Sequence, residues 1–197
     1  MSRGVLAVVS GFSGAGKGTV MKRLMEKYHN YALSVSVTTR DPREGEQHGR
    51  EYFFHSNEEV EEMIRNDQLL EYARYVDHYY GTPRSYVEDR LNEGKDVILE
   101  IEIQGAMQIK EKVPEAVLIF ITPPSMEELK NRLVGRGSEE PDVIASRLRR
   151  ASEEAEGIEK YDYLLVNDQV DDCADELHEI IMSEHLRTQR NSELINR

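Results

Sequence analysis

The chain has 197 residues, a formal net charge of −13 and 32% charged side chains, a length that fits one α/β domain with a sizeable core and room for inserted subdomains. So acidic a balance argues against non-specific nucleic-acid binding, which needs a basic face, and leaves anionic ligands to local basic clusters. Cys173 is the only cysteine, which excludes an internal disulfide, and neither a signal-peptide pattern nor a membrane-length apolar run occurs, so a cytoplasmic protein without a membrane partner is expected.

Residues 5–9 form an apolar run. It leads into Gly11, Phe12, Ser13, Gly14, Ala15, Gly16, Lys17, Gly18 and Thr19, and a helical pattern follows. Glycines let the backbone turn tightly with its N–H groups aimed inward, and the next helix adds unpaired first-turn amides and a positive dipole end. Lys17 adds a mobile full charge. This strand–loop–helix spacing is the phosphate-loop pattern, a cradle for a nucleoside triphosphate. Gly18 stands where a Ser or Thr usually follows the lysine. Mg²⁺ is therefore expected to arrive with the nucleotide, held by phosphates and water rather than by a protein ligand set. The six histidines are scattered without metal-ligand spacing.

Val20, Met21, Leu24, Met25 and Tyr28 recur at helical spacing as one buried face. Residues 31–37 read as a strand. It runs into a stretch in which Arg40 and Arg43 lie close to hydroxyls and Pro42 and Gly45 break regular structure. That stretch reads equally as an anion site and as a solvated loop. Residues 51–54 are a short strand, and Ser56 or Asn57 caps a helix bearing Val60, Met63 and Ile64. Residues 69–76 are extended and carry Glu71 among apolar and aromatic neighbours, where it serves either a ligand or an ion pair with Arg74. Residues 79–83 read as a turn, and a helix from about Ser85 is expected to use Glu88 in a capping box and to end at Gly94. These short, mixed elements suggest an inserted lobe rather than a continued βα repeat.

The repeat resumes at 97–103, a buried parallel strand that ends on Glu100 and Glu102. Open α/β sheets bind ligands at that end. Residues 117–121 form the next core strand, and Ser125, with Glu128, caps the helix after it. That helix leads through Arg132 to Gly135, Arg136 and Gly137, and a second helix from about Asp142 carries Arg147, Arg149 and Arg150. Two helices joined by a glycine–arginine loop suit a lid over phosphates. A final strand at 163–166 precedes Asn167, the last helix covers roughly 171–185, and the polar residues beyond Leu186 are expected to fray.

Taken together, the chain closely resembles the guanylate kinases. The resemblance rests on the phosphate loop, on Ser36 through Arg43, on Gly49 through Phe54 and on Tyr79-Tyr80-Gly81-Thr82. It continues through Glu100 to Gly105, Arg132 to Gly137 and Val166-Asn167-Asp168, and covers about 4–186. It implies an α/β P-loop kinase fold with a parallel-sheet core, a GMP-binding lobe at about 36–85, a helical lid at about 132–150 and a polar tail at 187–197. It also implies phosphoryl transfer from ATP to GMP or dGMP. In that family the residues matching Arg40, Arg43, Tyr52 and Tyr80 hold the GMP phosphate, and those matching Ser36, Glu71 and Thr82 read the base. Glu100 and Glu102 are expected to orient either Mg²⁺-bound water or GMP-binding groups. Residues 11–19 and Asn167 are expected at ATP, with Lys17, Arg132, Arg136 and Arg147 on the transferring phosphoryl group. Another nucleoside-monophosphate kinase, such as an adenylate kinase, fits the loop but not Glu71. A non-catalytic module of the same fold would lack the working loop.

Overall fold

The computed structural model describes residues 3–135 and 141–192. Arg136 and Gly137 therefore lie outside the described residues. Strand β1 (Leu6–Gly11) lies at the centre of a parallel sheet, between β7 (Asp96–Glu100) and β8 (Val117–Thr122). The edges are β2 (Tyr31–Leu33), beside β7, and β9 (Tyr163–Val166), beside β8. A strand covered on both faces needs apolar residues on both, and Leu6, Ala7, Val8 and Val9 are all buried. On one face α1 (Lys17–Lys27) presents Val20, Met21 and Leu24 to Leu177 and Ile181 of α7 (Val170–Glu184). On the other, α3 (Arg84–Asn92) and α4 (Ile103–Lys112) pack Val87, Leu91, Ala106 and Ile109 against Val8 and Leu99.

A second sheet, in the order β4-β3-β6-β5, is built from β3 (Ser36–Thr38), β4 (Tyr52–Phe54), β5 (Leu69–Tyr75) and β6 (His78–Pro83). Helix α2 (Asn57–Arg65) covers it through Val60, which packs with Val37 and Leu69. Ser56 does cap α2, in a reciprocal capping box with Glu59.

The structure corrects four expectations. The strand expected over 31–37 is two strands in different sheets: the Ser34 N–H still bonds to the Ile98 carbonyl, whereas Val37 pairs with Gly81. Residues 79–83 are strand, not turn. The reversal falls at Val76 and Asp77, whose φ angles of 44° and 67° make a two-residue hairpin. Gly81 is needed inside the ladder, because a Cβ there would lie 2.9 Å from the Glu71 carbonyl. No Ser85–Glu88 box forms, since α3 starts at Arg84 with no side-chain cap. Of the segment after Leu186, the described residues 187–192 are docked. Helix α8 (Thr188–Asn191) carries Arg190, whose guanidinium donates to the Arg3 and Gly4 carbonyls at 2.8 and 2.6 Å.

Beneath the sheet, Asp96 is fully buried. It accepts the Val5 N–H at 2.7 Å and the Asn30 amide at 3.2 Å, and pairs with His185 Nε2 at 2.8 Å. This one carboxylate joins the starts of β1 and β7 to the end of α7.

Candidate active site

The glycine loop joins β1 to α1 at the carboxyl edge of the sheet. Gly16 has φ +86°, and a Cβ there would lie 2.6 Å from Asn167 Nδ2, so a side chain is excluded by both conformation and space. The Asn167 amide lies under the loop, 2% exposed, and donates to the Ala15 carbonyl at 2.7 Å. Lys17 Nζ donates to the loop carbonyls of Gly11 and Phe12 at 2.8 and 3.2 Å. Burial lowers its pKa, against the opposing pull of Glu100, Glu154 and Glu102. An ammonium held in its own loop by carbonyls gains most when phosphate oxygens replace them.

Helices α5 (Met126–Gly135) and α6 (Pro141–Ala155) flank the loop. Leu129, Leu133 and Ala151 pack with Phe12 and Ala15 of the loop. Ser125 Oγ accepts the Glu128 N–H at 3.1 Å. Arg147 Nη1 reaches Ser13 Oγ at 3.4 Å, at the mouth of the loop. Arg132 is bonded to Glu128 at 2.8 Å along its own helix. Arg150 bridges Glu102 at 2.7 Å and Glu154 at 3.1 Å. Sequence reasoning assigned no role to Arg150 or Glu154; their i, i+4 spacing was the available signal, and it pointed only to a helix-surface pair.

Beside the second sheet, Arg40 donates from Nη2 to both carboxylate oxygens of Glu46, at 3.0 Å each, and from Nη1 to the Asp41 carbonyl at 2.7 Å. Its guanidinium lies 5.4 Å from the Tyr52 ring, and the Tyr52 and Tyr80 rings are 6.1 Å apart. The expected arginine and both tyrosines are thus together. Arg43 contributes its backbone N–H to Glu46 at 2.8 Å, and its side chain is exposed. That bond is the largest influence holding the Glu46 carboxyl below its ordinary pKa. Sequence reasoning missed Glu46: it lies in the segment quoted for the arginines but carries no spacing that distinguishes it.

Glu71 is 6% exposed, and its Oε1 accepts the Thr82 hydroxyl at 2.7 Å across the β5–β6 pair. Burial raises its pKa, partly offset by the Thr82 bond and the Lys112 charge. Arg74 does not serve it; that guanidinium reaches Asp77 at 3.7 Å and lies over the Tyr79 ring. Ser36, Thr82 and Glu100 line one cleft of about 110 Å³ between the two sheets, with Leu33, Ile98 and Ile101. That cleft brings Ser36 and Thr82 of the second sheet beside Glu100 at the end of β7, whose charge also acts on Lys17 of the loop.

The family model described as guanylate kinase matches residues 3–184. The chain belongs to the guanylate kinase family. A guanylate kinase from Lactococcus lactis subsp. lactis is 55% identical over 95% of this chain and 92% of the relative. One from Caldanaerobacter subterraneus subsp. tengcongensis is 52% identical over 98% of this chain and 93% of its own. Among solved structures, the guanylate kinase of Anaplasma phagocytophilum is 37% identical, with a TM-score of 0.74, and is covered over 90% of its chain and 96% of this one. As a guanylate kinase, the chain is an enzyme of the nucleoside-monophosphate kinase type on a P-loop fold, which sets aside the adenylate kinase alternative.

Among the described residues no group of three His, Cys, Asp or Glu side chains could hold a metal ion. An added Cβ at Gly18 meets nothing within 4 Å, so that position leaves open space beside the exposed Thr19. The exposed Glu100 and Glu102 carboxylates are near enough to Lys17 to raise its pKa. Among the described residues no helix is long and apolar enough to cross a membrane.

Proposed function

We propose that the chain transfers the γ-phosphoryl group of ATP to GMP, and to dGMP, and that the site residues divide as the sequence suggested. The observation that carries the substrate assignment is the buried Glu71 carboxylate fixed by Thr82 in a guanylate kinase chain. Guanine presents two adjacent donors, N1–H and N2–H, which one carboxylate accepts together. Adenine presents an acceptor at N1 and would be repelled.

The GMP phosphate oxygen is the nucleophile, so the protein's task is positioning and charge stabilisation. Arg40, Tyr52, Tyr80 and Arg43 hold the acceptor phosphate; Arg40 exchanges Glu46 for phosphate, to which its planar fork is equally suited. The loop amides and Lys17 hold the β- and γ-phosphates, with Lys17 leaving the Gly11 and Phe12 carbonyls. Asn167 keeps the loop in shape from below. Arg147 and Arg132, on helices packed against the loop, face the transferring group, and Arg136 joins them in this reading. Glu100 and Glu102 would orient the water around a Mg²⁺ ion carried in with ATP, or the GMP-binding groups; bound there, the ion would supply positive charge to the phosphates. Residues 36–85 act as the GMP lobe and 132–150 as a lid whose closure excludes water and limits ATP hydrolysis. A buried thiol as the sole cysteine suits work in the reducing cytoplasm.

The test is a coupled ADP-release assay with ATP against GMP, dGMP, AMP, UMP and CMP. Turnover with GMP and dGMP alone is expected. Equal or greater turnover with AMP would overturn the assignment.

A further inference from the structure

Glycine 105 has no chemistry of its own, yet it lies against the carboxylate that the proposed base recognition depends on. It occupies the first turn of α4, immediately after the strand that ends in Glu100, and is itself buried. A Cβ built on Gly105 would lie 2.9 Å from Glu71 Oε2 and 3.4 Å from Glu71 Cδ. It would also lie 3.2 Å from Ile101 Cδ1. The first distance is inside van der Waals contact, so something must move.

The two sides of the conflict are not equally mobile. Helix α4 is anchored by Ala106 and Ile109, both fully buried against the central sheet. It is also tied to β5 by Gln108, which accepts the Tyr72 N–H at 3.2 Å and donates to the Tyr72 carbonyl at 3.0 Å. The Glu71 carboxylate is the far end of a flexible side chain, held on its other oxygen by Thr82. A methyl group at position 105 is therefore relieved by displacing the carboxylate. Helix propensity makes the choice of glycine informative. Glycine inside a helix is destabilising relative to alanine. Nothing about the helix itself calls for it, since Gly105 is not among the residues with positive φ.

We infer that Gly105 is a specificity-determining position: its missing side chain is the space that keeps the Glu71 carboxylate aimed at the guanine edge. The inference rests on the base-reading role of Glu71. Thr82 fixes one oxygen, Gly105 leaves room for the other, and together they set the carboxylate in the orientation two adjacent N–H donors require. Gly105 acts through Glu71 and touches no reacting atom, so it is a positioning residue.

The experiment is a double-mutant cycle with Gly105→Ala and Glu71→Gln, reading KM for GMP, KM for ATP, kcat and thermal melting. Gly105→Ala should raise KM for GMP on the order of tenfold, the factor associated with one badly matched buried hydrogen bond. KM for ATP and kcat at saturating GMP should hold, and the melting temperature should stay level or rise with the better helix former. In the Glu71→Gln background, which already lacks the paired acceptors, Gly105→Ala should add little further loss, so the two effects should not sum. A Gly105→Ala protein with unchanged KM for GMP beside a Glu71→Gln protein with impaired KM overturns this inference alone. If Glu71→Gln itself leaves KM for GMP unchanged in a folded protein, the base-reading role fails first. A fall in melting temperature with equal losses for GMP and ATP would mark Gly105 as structural and overturn its specificity role.

Discussion

The side-chain amide of Asn167 donates to the carbonyl of Ala15 at 2.7 Å, across 152 residues of chain. The residue after the last strand thereby supports the loop after the first. The bond is buried, so losing it leaves the Ala15 carbonyl without a partner, at a cost of about 1–3 kcal/mol. Asn167→Ala is expected to lower the melting temperature and raise KM for ATP while leaving KM for GMP unchanged. Steady-state kinetics with each substrate varied separately check this; a variant impaired for GMP alone would remove the bracing role.

Lys17→Ala should nearly abolish turnover while the protein stays folded. Among the described residues the ammonium bonds the Gly11 and Phe12 loop carbonyls, and Lys17 is not part of the buried core. Circular dichroism beside the coupled assay separates lost chemistry from lost fold. Near-normal turnover would exclude the loop lysine from the mechanism.

Arg40→Ala should weaken GMP far more than ATP. Truncating one partner of a desolvated charge pair costs on the order of 2–5 kcal/mol. The side chain is 15% exposed and held by Glu46 on one terminal nitrogen and by the Asp41 carbonyl on the other, so it is positioned before phosphate arrives. Separate titrations of the two nucleotides decide; equal losses would assign Arg40 to the stability of its loop.

Arg147→Ala should lower kcat more than it raises either KM, because a charge at the mouth of the loop acts on the transferring group. A supplied arginine in phosphoryl transfer is worth roughly 10³–10⁵ in rate, and sharing with Arg132 and Arg136 should bring the single loss below that range. An unchanged kcat would exclude Arg147 from the charge acting on the transferring group.

The pH dependence should follow Glu71. Burial raises its folded pKa above the unfolded value, so between those two values the native state holds a proton the unfolded state has released. Within that window stability falls as pH rises, and the charged form at neutral pH costs folding free energy. Reading guanine needs that charged form. KM for GMP should therefore worsen as pH drops through the raised folded pKa, and Glu71→Gln should remove that step. Its melting temperature at neutral pH should equal or exceed that of the parent. A GMP pH profile identical in both proteins would contradict the assignment.

The central sheet was legible because parallel strands buried on both faces leave uninterrupted apolar runs, as residues 5–9 and 117–121 do. The loop was legible because its glycines and lysine have fixed spacing. The second sheet was harder. Gly81 and Pro83 carry turn chemistry, but tertiary pairing needs the first for lack of space and tolerates the second at a strand end. The partners of the charged residues were least visible. That Arg150 reaches Glu102 follows from where distant chain segments meet, and that Glu46 holds Arg40 from how one loop folds back; no spacing rule encodes either.

The register of β1 sets a timetable for the protein's own synthesis. Leu6 pairs with Val97 and Ala7 with Val117, so the strand that carries the phosphate loop has its first neighbour only once about half the chain exists. At about 5–20 residues per second, the ribosome delivers those neighbours several seconds after β1 emerges. Loop-closure entropy over such spans makes this pairing a late event in folding. The second sheet, by contrast, is complete by residue 83. A nascent chain can thus assemble its second sheet while the apolar segment that leads into the phosphate loop is still unpaired. Chain arrested between those two points would expose residues 5–9, a short charge-free stretch of strand-forming residues, to association with other chains or to a chaperone.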